Sequence, residues 1–481
     1  MNERLAAAYM FAPDNHPCAS AIPGKNIVND SDWILIIART QFALTMGMHI
    51  TLAALTLGLA PFLVWFEARW LWGKQQAARD ALHFWLNIFS LTVAIGAASG
   101  VVMEFQFGTH WARFSHQVGG VIGPLMFYEV LVAFFLESAL TGVMLFGFNK
   151  ISPGVHFVVT CLVAIGALLS AFWILAANSW MQTPVGFTRT ENGVFLAESW
   201  RSILLAPSFP WRFSHMVMAS LIAVAVMIMG VAAWRLRHFR AEAASQLMLN
   251  SALTFLLLAV PLQIVLGDLH GENTRDYQPA KLAAMEGSWH RPEQGEGEPL
   301  RLFALPDQQA QRNSLEISLP SLGSLYLRHN LSGHIKSLSE FSADAIPPVL
   351  PVFFAFRLMV GMGLIILLTT LAANLQRWRG RLAVSGRLLC WLTWLSPAGF
   401  IALLSGWVVT EVGRQPWTVY GMLRTAQSVS PLALSTTLSI FLAVLLIYGL
   451  VFALGLRYLL RRIKGELPSG EPVVIELKTP H

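Results

Sequence analysis

The chain has 481 residues, of which 55% are hydrophobic and only 12% charged, with a mean hydropathy of +0.56. That balance lies outside the range of soluble globular chains and predicts a polytopic membrane protein. The net charge of +6 comes without any basic–aromatic stripe, so no nucleic-acid partner is expected. Cys18, Cys161 and Cys390 are scattered and supply no disulfide framework, no zinc spacing and no CxxCH for covalent haem.

Residues 1–33 mix Pro, Asn and Asp with no continuous apolar core, and read as a polar extension, not a cleavable signal peptide. Nine apolar stretches follow, at roughly 35–66, 84–107, 121–148, 155–179, 212–234, 246–268, 349–372, 387–410 and 432–456, each meeting the requirement of about 20 residues for a span. The first is too long for an upright span and is expected to tilt or to begin at the interface. Lys and Arg collect on one side, at Arg69, Lys74, Arg79, Lys150, Arg235, Arg237, Arg240, Arg377, Arg379, Arg381, Arg387, Arg457, Arg461, Arg462 and Lys464. The positive-inside rule then places the N-terminus outside and the C-terminus inside. The expected organisation is an all-α membrane bundle of nine helices. The extension 1–33 precedes helices one to six in 34–268, an outward-facing polar loop occupies 269–347, helices seven to nine lie in 348–458, and 459–481 form an inner tail.

The third stretch, VIGPLMFYEVLVAFFLESALTGVMLFGF, carries Glu129 and Glu137 where hydrocarbon should surround them. Carboxylates at that depth are costly and mark function by default. Eight residues apart on a regular helix, they sit about two turns apart and offset by roughly 80°, which suits a path or two separate ligands better than an acid dyad. The other ionisable groups at spans are Arg39 and His49 in the first, His215 in the fifth, Arg357 in the seventh and Glu411 closing the eighth. At 1.5 Å per residue, Glu129 is expected about 12 Å below the outer end of its helix and Met359 about 15 Å, with His215 and Glu411 close to that surface. The chemistry gathers in the outer half.

His, Met and carboxylate at comparable depth on different helices form a haem-ligand set, because haem iron takes imidazole or thioether axially and a helix bundle supplies a dry cavity. With no CxxCH motif, the haem would be held non-covalently. Arg357, two residues before Met359, is placed to neutralise a haem propionate. Taken singly, each residue has a plainer reading: a lone His or Met in a membrane helix serves packing or an interhelical hydrogen bond about two times in three. His110 and His116, past the second span, read as surface or loop-ordering residues.

Eight strings in order, RTQFALTMGMH (39–49), MEFQFGTHW (103–111), YEVLVAFFLES (128–138), NSWMQTPVGF (178–187), FSHMVMAS (213–220), KLAAMEGSW (281–289), FRLM (356–359) and GWVVTEVGRQPW (406–417), resemble the quinol-oxidising subunit I of cytochrome bd-type terminal oxidases. The short 269–347 loop is similar to the shorter quinol-loop, cyanide-insensitive form of that family. The resemblance implies three haems: a low-spin haem b with His215 and Met359 as axial ligands, a high-spin haem b, and haem d or a further haem b at the oxygen site. His49, Glu129 and Glu411 look like ligands of the two high-spin haems, Trp407 would lie between haems, and Glu137 with Ser138 and Ser170 looks like a polar path for protons. Lys281 and Glu286 fall in the segment that the family uses for quinol oxidation; composition alone favours a solvated salt pair there.

The implied activity is quinol oxidation at the outward loop with reduction of O2 to water, separating charge across a bacterial inner membrane without a pumping step. The implied partners are a homologous second subunit, a small single-helix subunit, quinol, O2 and the lipid bilayer. A proton-coupled secondary transporter using Glu129 and Glu137 is the first rival, but the nine spans show no internal repeat. A haem-carrying electron-transfer subunit is the second.

Overall fold

The computed structural model describes residues 29–239, 242–293, 296–382 and 385–465. Most of the expected N-terminal extension, and the tail beyond residue 465, lie outside the described residues.

In chain order the elements are α1 (Asp30–Leu71), α2 (Gln76–Gly108), α3 (Ala112–Leu131), a π-turn (Val132–Ser138), α4 (Ala139–Phe146), α5 (Pro153–Gln182), β1 (Phe187–Arg189), β2 (Phe195–Ala197), α6 (Trp200–Leu204), α7 (Phe209–His238), α8 (Ala243–Tyr277) and α9 (Pro279–Glu286). They continue with β3 (Leu300–Asp307), β4 (Arg312–Leu319), α10 (Leu322–Arg328), two short 3-10 turns, α11 (Val349–Trp378), α12 (Gly386–Trp394), α13 (Ala398–Val412), β5 (Trp417–Val419), β6 (Leu423–Arg424), α14 (Thr425–Ser428) and α15 (Leu434–Lys464). Among the described residues nine helical segments are long and apolar enough to cross a membrane, with α3 to α4, α6 to α7 and α12 to α13 each counting as one. Among the described residues the strands form three antiparallel hairpins.

Nine consecutive crossings put the start of α1 and the 278–348 segment on one face, the loop face, and the end of α15 on the other. Several boundaries differ from expectation. The third span begins at Ala112, nine residues before 121, because ARFSHQVGG forms helix despite its polarity. The α8 helix runs to Tyr277, past the expected end at 268. The 269–347 stretch is accordingly not a plain polar loop: it holds the last turns of α8, all of α9, the β3–β4 hairpin and α10. The 42 residues of α1 make a rod of about 63 Å, twice a bilayer core, and Trp33 and Ile36 near its start are exposed.

Helix α1 packs on α2, α5 and α7, with α8 against α7 and α11 against α13. Away from the loop face the bundle is dense: Leu59, Phe66, Phe84, Trp85, Phe89, Val224 and Leu253 belong to one buried cluster. Burying such side chains is worth about 1.5–3 kcal/mol each when the reference is water. Several polar groups in this dense half are paired across helices. His156 on α5 bonds Glu67 on α1 through Nδ1 at 2.5 Å and the Met144 carbonyl through Nε2 at 2.8 Å, while the Thr160 hydroxyl donates to Glu67 at 2.6 Å. Arg235, wholly buried, donates to Glu242 and to the carbonyls of Ile463 and Gly465, tying the α7–α8 turn to the end of α15.

Candidate functional site

The half of the bundle nearer the loop face is hollow. A cavity of about 1670 Å³ runs through it, lined mostly by apolar side chains and reached by His49, Glu129, Glu137, His215, Lys281, Glu286, Arg357, Met359, Trp407 and Glu411. All ten candidate residues therefore face one space, although they come from α1, the α3–π segment, α7, α9, α11 and α13. A single small-molecule site typically occupies about 300–1,000 Å³, so this space exceeds one ordinary ligand.

Counted along their own helices, which start at different heights, Glu411 lies at the end of α13, His215 about 9 Å from the start of α7, Met359 about 15 Å from that of α11, Glu129 about 26 Å from that of α3 and His49 about 29 Å from that of α1; across the bundle, Gly47, two residues before His49, faces the Trp407 ring. The figure for Glu129 corrects the expected 12 Å, since α3 begins earlier than its apolar run.

At the rim, Glu411 accepts from Asn178 Nδ2 at 2.9 Å and from Arg414 on its other oxygen. Arg212 donates in turn to the Asn178 carbonyl oxygen. On α7, His215 packs edge-on to His270 with ring centroids 5.3 Å apart, and its Nδ1 has no hydrogen-bond partner. Met359 occupies a hollow left by Gly406, where an added Cβ would lie 2.8 Å from the Met359 sulfur. Trp407 lies one turn before Glu411 on α13 and also lines the cavity.

Deeper in, His49 Nδ1 is 2.8 Å from Ser99 Oγ, whose proton goes to the Gly96 carbonyl. The serine must therefore accept, Nδ1 carries the imidazole proton, and Nε2 is left as the basic nitrogen. Glu129 accepts from Ser170 Oγ at 3.1 Å, so Ser170 serves Glu129 and not Glu137. The Ser138 hydroxyl is tied to the Ala133 carbonyl of its own helix at 2.9 Å.

The angular relation of the two acids also needs correction. Residues 132–138 form a π-turn, which accommodates one extra residue within the helix. Eight positions then act as seven α-helical steps, and the offset falls from roughly 80° to about 20°. Glu129 and Glu137 share a face, which is why both reach the cavity.

Lys281 and Glu286 are 3% and 1% exposed, which removes the solvated-pair reading, and each has its own partners. Helix α9 starts on Pro279 and stops at Gly287, whose φ of 61° a residue with a side chain rarely adopts. Lys281 Nζ donates to Gln182 at 2.7 Å and to Gln278 at 2.5 Å. Burial, with Arg212 and Arg414 nearby and Glu411 opposing them, holds its ammonium well below the ordinary lysine range. Glu286 accepts from Arg357 Nη2 at 3.1 Å and from the Tyr326 hydroxyl. The remaining donors of Arg357 go to the carbonyls of Met285 and Arg301, so this guanidinium is engaged by the α9–β3 segment rather than held free for a propionate.

His110 is buried at 1% exposure, contrary to the surface reading; its carbonyl accepts from Ser430 N at 2.8 Å, joining the α2 end to the segment before α15. His116 is exposed. Sequence reasoning assigned nothing to Asn178, Gln182 and Arg414, although all three lie in the recognised strings, or to Arg212 and Gln278, each just outside one. Tyr326 carried no signal at all. Among the described residues no three of His, Cys, Asp and Glu converge to hold a metal ion by themselves. Imidazole, thioether and carboxylate donors presented singly to an apolar space have the donor chemistry of haem iron.

The model of the cytochrome bd terminal oxidase subunit I family matches residues 37–467. This chain belongs to that family. Cytochrome bd ubiquinol oxidase subunit 1 of Bacillus subtilis (strain 168) is 34% identical over 406 residues, covering 82% of this chain and 86% of that protein. Cytochrome bd-II ubiquinol oxidase subunit 1 of Escherichia coli (strain K12) is 31% identical over 505 aligned positions, covering 91% and 97%. The solved bd oxidase structure from Geobacillus thermodenitrificans superposes with a TM-score of 0.84 at 23% identity over 91% of this chain and 99% of that one, a match in fold. The protein is thus a multi-pass membrane subunit of a respiratory terminal oxidase, and the transporter and electron-relay readings are not favoured.

Proposed function

We propose that this chain is the haem-holding, quinol-oxidising subunit of a quinol:O2 oxidoreductase, with the loop face turned outward from a bacterial inner membrane. The observation that carries the reading is the single apolar cavity shared by His49, Glu129, His215, Met359, Trp407 and Glu411 and continuous with Lys281 and Glu286. Bound haem supplies the electron relay and the iron at which O2 becomes water.

In this reading His215 and Met359 hold a low-spin haem b. His49, with its proton fixed on Nδ1, and the carboxylates Glu129 and Glu411 hold two high-spin haems, one a haem b and one a haem d or further haem b. Arg414 and Asn178 keep Glu411 aimed, and Arg212 holds Asn178. Trp407 stands between haem sites.

At the rim, a quinol hydroxyl needs a base beside it. Glu286 provides a carboxylate, and Lys281 an amine whose two bonds to glutamine oxygens leave a lone pair when it is unprotonated. Glu137, sharing a face with Glu129 about 12 Å further from the loop face, passes protons to the oxygen site from the opposite side. Protons released at the loop face and taken up from the other side separate charge with no pumping step. A homologous second subunit and a small single-helix subunit are the expected partners; the outward sides of Leu442, Leu446, Leu450 and Leu454 on α15 are exposed apolar surface for lipid or such a partner.

A reduced-minus-oxidised spectrum of the purified complex, with extracted haems identified by mass, tests the reading. Three haems, one of them low-spin, are expected; a complex with no oxygen-reactive high-spin haem overturns it.

A further inference from the structure

The segment between the β3–β4 hairpin and α11 matched no recognised motif, yet α10 lines the site with Leu322, Leu325, Leu327 and one polar side chain. Tyr326, on α10, places its hydroxyl on one oxygen of Glu286 while Arg357 takes the other. Both oxygens of the buried Glu286 are therefore engaged, and Tyr326 and Glu286 line the same cavity. The position of α10 is itself fixed. A Cβ on Gly323 would lie 2.6 Å from the Pro299 carbonyl oxygen, and Ser324 Oγ donates to the Gly333 carbonyl at 2.6 Å while accepting from Glu298 N at 2.5 Å. The helix sits as close as its backbone permits, in the register that brings the phenol to the carboxylate.

We propose that Tyr326 is a positioning residue for quinol oxidation, holding Glu286 as the ion that accepts the quinol proton. The inference rests on the reading of Glu286 as the base. A donor aimed at a carboxylate stabilises its charged form more than its neutral one, so the phenol holds the acceptor as an ion in a fixed place. The other charged groups around Glu286 are Arg357 from α11, Arg301 from β3, Glu298 ahead of β3 and Lys281 on its own helix; Arg301 reaches only the Glu286 carbonyl, at 3.4 Å. Burial and the neighbouring Glu286 charge push the Tyr326 phenol well above its ordinary range, so it remains a donor wherever the enzyme works.

The experiment measures kcat/KM for a soluble quinol against pH in the purified oxidase complex. Tyr326→Phe removes only the hydroxyl. Its acid limb should move to higher pH, because the carboxylate loses a donor that favours its charged form. Haem content and spectrum should be unchanged. Site-specific 3-fluorotyrosine at 326, a stronger donor of the same shape, should move the limb the other way. A purely structural tyrosine would not produce opposite shifts. An unmoved limb in both, or a shift of the same sign in both, overturns the proposal. Glu286→Gln separates the two levels: inactivity of that variant with unmoved limbs at 326 removes Tyr326 alone, whereas parental quinol oxidation by Glu286→Gln removes the underlying base as well.

Discussion

Glu286 and Arg357 form an ion pair at 3.1 Å, with side chains only 2% and 16% exposed, that ties α9 to the helix carrying Met359. In the proposed reading, the quinol-side carboxylate is thus anchored two residues before the thioether on α11. Removing one partner of such a pair leaves an uncompensated charge at a cost of about 3–5 kcal/mol. Glu286→Ala should lower the melting temperature of the complex and disturb the low-spin haem band. Glu286→Gln preserves shape and should keep the band while lowering quinol oxidation by about 100-fold or more, the usual scale for a lost general base. Thermal unfolding and the reduced spectrum, measured on both variants, check the contrast.

Met359→Leu retains volume and deletes the sulfur. The expected result is loss of one low-spin haem b or its conversion to high-spin, with the other two haems retained. Gly406→Ala should produce a similar disturbance without touching the ligand, since the added methyl falls 2.8 Å from the sulfur. An unchanged low-spin band in Met359→Leu would remove the assignment.

Glu137→Gln keeps the side chain's size and hydrogen bonding but cannot carry a proton as a carboxylate does. Haem content should stay near normal and haem reduction by quinol without oxygen should stay fast, while steady-state oxygen consumption falls by about tenfold or more. Glu129→Gln should instead alter a high-spin haem. Normal turnover by Glu137→Gln would make that acid structural.

Lys281 gives a pH prediction with a definite sign. Its amine is held below the ordinary lysine range, so the folded protein binds fewer protons than the unfolded chain between the lowered value and the ordinary one. Stability contributed here therefore rises with pH across that window and is lost as pH falls through the lowered value. Lys281→Arg places a permanent cation between Gln182 and Gln278, and should both depress quinol oxidation and flatten this part of the thermal-stability profile. A wild-type pH profile in Lys281→Arg would show that the neutral amine is not used.

The Glu67–His156–Thr160 cluster yields the opposite kind of expectation. It lies in the dense half, outside the cavity, and joins α1 to α5. Glu67→Ala strands buried donors at about 1–3 kcal/mol each, so the melting temperature should drop while the haem spectrum and the pH profile of quinol oxidation in folded protein stay unchanged.

The nine crossings were readable because continuous apolar runs long enough for a bilayer have few other uses, and the intramembrane Glu129, His49 and Arg357 stood out by their cost in hydrocarbon. What periodicity could not supply was angle and burial outside the apolar runs. A π-turn has no local sequence mark, so the phase of Glu137 relative to Glu129 was misjudged. Lys281 and Glu286 occupy a stretch whose composition is that of an exposed loop, and the packing of α9 against α8 and α11 buries them. Tyr326 is selected by a contact 40 residues distant in the chain, beyond any spacing rule. Glu67 sits two residues before Arg69 at what reads as a helix end, with nothing to signal its partner on α5.

The extra residue in the π-turn also makes angular setting a property of that helix that can be lost without losing any contact residue. If the turn relaxed to regular α-helix, everything beyond it would rotate by about 100°. Glu137 would swing out of the cavity, and Met144, whose carbonyl bonds His156, would leave its place at the far end. Excising one residue between Leu131 and Glu137 would instead leave a straighter helix with both acids still aligned. The insertion therefore works as a phase lock: chain length there can shrink by one and preserve the acid row, whereas the wide turn itself cannot close.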